Sequence, residues 1–208
     1  YYIAEIYLIK KNYDKAEIVA QNYLSAYPNN EYTAEMYRVL GDADYHFGKY
    51  HEAMGAFEKY LANNKEEAPR RDALYMLGLS YYHSGVYTKA ANTLGEVATG
   101  NDALSQNTYL HMGLSYLQMG DKNKARMAFE QASASNANMQ IKEQAAYNYA
   151  LCIHETSYSA FGESVTVFEK FLNEFPNSQY VDKVSSYLVE VYMNTRSYEA
   201  ALKSIERI

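Results

Sequence analysis

A chain of 208 residues, 48% hydrophobic and 21% charged, has the balance of a folded globular protein rather than a disordered or fibrous one. Ten glycines and three prolines permit long uninterrupted helices and disfavour a turn-rich β architecture. The net charge of −6 argues against nucleic acid as a partner, since such binders need a basic footprint, and no apolar run approaches the roughly 18 residues that span a bilayer.

The sequence opens Tyr1-Tyr2 without an initiator Met and closes at Ile208 inside a helical pattern, so an excerpt of a longer chain is expected. Cys152 is the single cysteine, which excludes an internal disulfide framework and any CxxC metal or redox motif.

In chain order, the pattern is a helix, a turn and a second helix, repeated. The first unit, about 1–30, carries KNYDKAEIVAQNYL and closes on Tyr27-Pro28-Asn29-Asn30, where proline disfavours helical geometry in the residue before it. The second, 31–67, has Tyr37-x-x-Leu40-Gly41, a turn at Gly48-Lys49-Tyr50, and FGKYHEAMGAFEKYL. The third, 68–102, has Leu77-Gly78-x-x-Tyr81, a turn at Gly85-Val86-Tyr87, and SGVYTKAANTLGEV. The fourth, 103–138, has Tyr109-x-x-Met112-Gly113-x-x-Tyr116, a turn at Gly120-Asp121-Lys122, and MGDKNKARMAFEQA. The fifth, 139–178, puts Ala150 where the others have glycine, gains about two residues around Ser157 to Phe161, and continues SAFGESVTVFEKFL to Phe175-Pro176-Asn177-Ser178. The sixth, 179–208, has Val189 at the glycine position and ends TRSYEAALKSIERI.

The small residues Ala16, Ala53, Ala90, Ala125, Ser164 and Ala201 anchor the second helices at intervals of 37, 37, 35, 39 and 37 residues. Spacings of three and four mark one helix face. Glycine inside a helix costs roughly 1 kcal/mol relative to alanine, so Gly41, Gly78 and Gly113 require an offset, and close approach of a neighbouring helix supplies one. Gly48, Gly85 and Gly120 suit the left-handed conformation that ends a helix.

These residues resemble the tetratricopeptide pattern, L-G-x₂-Y in the first helix and A-x₃-F in the second, over nearly the whole chain: Leu40, Gly41, Ala53 and Phe57; then Gly113, Tyr116, Ala125 and Phe129. Departures are the lack of any Trp and units longer than the usual repeat. The resemblance implies an all-α solenoid of about six helix-turn-helix units, coiled as a right-handed superhelix in a single domain. Phe168 to Tyr180 resembles the repeats of bacterial cell-envelope tetratricopeptide proteins, which implies the periplasm or an outer-membrane association, with the cytoplasm as the alternative.

In such repeats the first helices line the concave side. The corresponding stripe is Arg38, Asp42 and Tyr45 in the second unit; Tyr75, Leu79 and Tyr82 in the third; Leu110, Leu114 and Leu117 in the fourth; and Tyr147, Leu151 and His154 in the fifth. An apolar, aromatic stripe facing water is unfavourable unless something covers it, so a protein or peptide partner is expected there. Tight coiling that covers the stripe is the competing reading. Only Arg38 is basic, which argues against a clamp for a C-terminal carboxylate.

No chemistry of a catalytic or cofactor site emerges. His46, His51, His83, His111 and His154 form no ligand pair at i, i+4, so no metal is expected. Cys152 and His154 point about 200° apart on a helix and cannot form a thiolate–imidazole pair. Gly162-Glu163-Ser164 lacks the second glycine of a nucleophile elbow, and Ser164 stands where other units have alanine. The expected function is a non-catalytic interaction scaffold; a self-assembling scaffold that forms a homodimer, or an accessory region of a larger enzyme, are the alternatives.

Overall fold

The computed structural model describes residues 1–157 and 162–208. Among these are twelve α-helices and no strand, arranged as six antiparallel pairs. The first helices are α1 (Tyr2–Ile9), α3 (Thr33–His46), α5 (Glu67–His83), α7 (Ala103–Gln118), α9 (Met139–Thr156) and α11 (Val181–Asn194). Their partners are α2 (Tyr13–Ala26), α4 (Tyr50–Asn63), α6 (Tyr87–Val97), α8 (Lys122–Ala134), α10 (Gly162–Glu174) and α12 (Tyr198–Glu206). The extra residues expected around Ser157 to Phe161 fall almost entirely outside the described residues.

Five pairs are closed by the same backbone device, the turn of the fifth pair lying partly outside the described residues. Gly48, Gly85 and Gly120 have φ of 75°, 78° and 78°, as their turns require. The next N–H reaches back to the last turn of the first helix: Lys49 to Asp44 O at 2.8 Å, Val86 to Tyr81 O at 2.9 Å and Asp121 to Tyr116 O at 2.9 Å. This satisfies a carbonyl that the helix end would otherwise orphan. Lys11 (φ 58°) and Arg196 (φ 60°) occupy the equivalent place in the first and last pairs, with Asn12 bonded to Tyr7 O and Ser197 to Tyr192 O, both at 2.8 Å.

The first-helix glycines sit against their own second helices. A Cβ on Gly41 would lie 2.9 Å from the Phe57 ring, one on Gly78 2.5 Å from Leu94, and one on Gly113 2.5 Å from Phe129. The side chain that fills each gap is fully buried. Close packing across the pair is therefore what offsets the helical glycines.

The chain divides into two compact units, Tyr1–Thr99 and Gly100–Ile208. In the first, Ala16 and Ala20 of α2 pack with Met36, Val39 and Ala43 of α3, and Phe57, Tyr60 and Leu61 of α4 pack with Ala73, Leu77 and Tyr81 of α5. In the second, Leu110 of α7, Ala125 and Phe129 of α8 and Cys152 of α9 form one cluster; Phe168, Phe171 and Leu172 of α10 join Val184 and Leu188 of α11 in another. Small residues at the helix crossings let the backbones approach, and large ones fill the space between.

Candidate partner-binding surface

In the first unit, α3 brings Arg38, Asp42 and Tyr45 to one face, and α5 sets Tyr75 and Tyr82 beside them. Arg38 is the hub. Its Nε donates to Glu35 at 2.9 Å, one terminal nitrogen reaches Asp42 at 3.5 Å, and the other reaches Glu5 of α1. Burial disfavours the guanidinium charge, but the hydrogen bond donated to Glu35 and the fields of Glu5, Glu35 and Asp42 outweigh it and raise the pKa above the ordinary value. Burial pushes the Asp42 carboxyl up to about 6, Arg38 opposes the shift, and Glu5 and Asp72 add to it.

Next to this cluster is a cleft of about 680 Å³ bounded by α3, α4 and α5. Glu35, Arg38, Asp42 and Asp72 form its polar side, and Phe57, Tyr60, Tyr75 and Met76 its apolar side. The sequence stripe supplied Arg38, Asp42 and Tyr75 but missed Glu35 and Asp72, which lie three residues before Arg38 and Tyr75 on the same helices. Helical spacing could have found them.

Tyr45 and Tyr82 are half-buried against the core of this unit. The Tyr45 hydroxyl lies 3.5 Å from His83 Nε2, and burial, then the neighbouring Tyr50 and Tyr75, push its pKa up to about 12. Tyr82 packs edge-on to Tyr87, and burial raises its pKa. A second repeated contact explains the equivalent placing of His46 and His83: the exposed His46 stacks on Tyr13 at 4.2 Å, and His83 stacks on Tyr50 at 4.5 Å. Burial lowers both imidazole pKa values.

Three stripe residues are corrected. Leu79 is 5% exposed, Leu110 3% and Tyr147 6%, so they are core rather than lining. Leu110 packs with Ala125 and Phe129, and Tyr147 stacks on Tyr180 at 3.9 Å. Helical periodicity placed them beside the packing line, and that strip is narrow enough for neighbouring helices to close over it. In the second unit Leu114, Leu117 and Leu151 are half-buried against the same clusters.

His154 is half-buried, its ring 5.3 Å from Phe168 and 5.5 Å from Tyr187, with Nδ1 2.8 Å from Ser164 Oγ. Ser164 is fully buried at an alanine position, so its hydroxyl is satisfied packing and no substrate can reach it. Cys152 is also buried, which pushes its thiol up to about 11, away from the reactive thiolate. No three or more His, Cys, Asp or Glu side chains among the described residues are grouped to hold a metal, and no described helix is long and apolar enough to cross a membrane.

The model of the family described as anaphase-promoting complex, cyclosome, subunit 3, matches residues 46–132, less than half of the chain. No curated protein matches. Among solved structures, MamA is 23% identical over 83% of this chain and 94% of its own, with a TM-score of 0.65. YrrB, described as a tetratricopeptide-repeat protein with an unusual peptide-binding site, is 18% identical over 84% of each chain, with a TM-score of 0.67. A tetratricopeptide-repeat protein from Parabacteroides merdae ATCC 43184 is 18% identical over 98% of this chain and 75% of its own, with a TM-score of 0.64. At these identities the likeness concerns the fold.

Proposed function

We propose that this chain, an all-α solenoid with the fold of tetratricopeptide-repeat proteins, is a non-catalytic scaffold holding a partner protein, or a peptide segment of one, on its first helices. The observation that carries the reading is the cleft of about 680 Å³ in the first unit, where Tyr60, Tyr75 and Met76 meet the Arg38 cluster. An extended segment entering it would take apolar surface out of water, at about 25 cal/mol per Å² before the cost of association. YrrB, of like fold, is described as peptide-binding, which agrees with this use. The resemblance of Phe168 to Tyr180 supports a place in a bacterial cell envelope, with the cytoplasm as the alternative.

The test compares three baits in a source-cell lysate: the wild type, Tyr75→Ala, and Asp72→Trp, which blocks the cleft from an exposed position without touching the core. Recovered proteins are identified by mass spectrometry. A protein held by the wild type and lost from both variants supports the cleft; the same proteins on all three baits would move binding elsewhere.

A further inference from the structure

The polar side of this cleft is unbalanced. Glu35, Asp42 and Asp72 line it and Glu5 reaches in from α1, against the single guanidinium of Arg38, which is already engaged by Glu5, Glu35 and Asp42. The two arginines of α5 do not line the cleft: Arg70 donates to Leu61 O at 3.3 Å and Arg71 to Val97 O at 3.2 Å. Burial is the main cause that pushes the Asp42 carboxyl up, Arg38 opposes it, and Glu5 and Asp72 add to it. Four carboxylates around one cation, beside an aromatic wall, favour an incoming cation whose aliphatic stem can lie on the half-buried Tyr75. A carboxylate or phosphate would meet net repulsion at the same place.

From this charge complementarity, and resting on the scaffold reading above, we propose that the occupant of the cleft is an extended segment carrying a lysine or arginine next to an apolar residue: the cation sits among Asp42, Asp72 and Glu35, and the apolar side chain lies against Tyr75 and Met76.

A library of random twelve-residue peptides displayed on phage, panned against the whole immobilised chain, tests it. Recovered peptides are then synthesised with a fluorescent label and titrated by anisotropy. Peptides enriched in Lys or Arg beside an apolar residue, binding about ten-fold more weakly to Asp42→Asn/Asp72→Asn and more weakly again as salt rises, is the expected result. Enriched peptides that lack a basic residue yet lose affinity for Tyr75→Ala would overturn the charge assignment and leave the scaffold reading standing. Peptides indifferent to Tyr75→Ala and Asp72→Trp, or no enrichment at all, would overturn both.

Discussion

Lys11 and Arg196 hold left-handed backbone at the turn where three other pairs use glycine. That conformation costs a side-chain-bearing residue roughly 1 kcal/mol. Arg196→Gly should therefore raise the melting temperature, by about 2–4 °C for a chain of this size if the whole strain is recovered; differential scanning calorimetry checks it, and a fall would show that the arginine makes a compensating contact. Asp44 illustrates a second single-residue conflict. It occupies the place that Tyr81 and Tyr116 take in later pairs, is buried, faces Glu17, and leaves Oδ1 without a hydrogen-bond partner. Burial, then the hydrogen bond and charge of Glu17, push its carboxyl up to about 8, against the pull of Lys49. A folded pKa above the unfolded one means that the folded state binds the extra proton, so this group's stabilisation is complete in acid and is lost as pH rises from about 4 through 8. Glu17, lowered by its bond to Asp44 and by Lys49 against its own burial, works in the opposite sense in acid. Asp44→Asn keeps the shape of the protonated acid, so its melting temperature should gain on the wild type as pH is raised from 5 to 9. A difference independent of pH would mean that Asp44 does not carry the shared proton. The turn glycines were readable from residue type; Lys11 and Arg196 were not, because only their register, five residues before Ala16 and Ala201, marks them.

At the level of helices, the pattern of small and bulky residues was legible because it is geometric: a residue without Cβ is needed wherever Phe57, Leu94 or Phe129 crosses its partner helix. The interaction face was less legible. Periodicity assigns a residue to a face, but whether that face stays open depends on the next helix, and this is why Tyr75 lines the cleft whereas Leu79, one turn on, is buried. The polar half of the cleft was harder still. Arg38 and Asp42 read as an i, i+4 pair on α3, which accounts for one of their contacts. Glu5 comes from 33 residues away, so the fourth carboxylate joins the cluster only once α1 packs on α3. The same limit hid the tyrosine hydroxyls of α5 and α11, which bond the preceding second helix: Tyr81 to Glu58 and Tyr192 to Glu169, both at 2.7 Å.

For the molecule as a whole, the glycine-to-ring contacts carry an implication for how many repeats such a chain can have. Gly41 and Phe57, Gly78 and Leu94, and Gly113 and Phe129 are each separated by 16 residues and lie inside one helix pair. A cut made between pairs removes lock and key together. Deleting residues 31–67 would take out α3 and α4 with their contact intact and bring Ala73, Met76 and Ser80 of α5 to the place against α2 held by Met36, Val39 and Ala43. Ser80 for Ala43 and Met76 for Val39 keep the small and bulky places, while Ala73 for Met36 leaves a gap that lowers the melting temperature without changing the register. The shortened chain should keep a helical circular-dichroism spectrum and a cooperative melt, whereas a deletion that is not a whole repeat, such as 43–69, should not, since it puts Ser84, at the end of α5, rather than a bulky residue of a second helix 16 positions after Gly41. Repeat number in this chain is thus a quantity that gene duplication or unequal exchange could change in whole steps, with each surviving pair bringing its own registration.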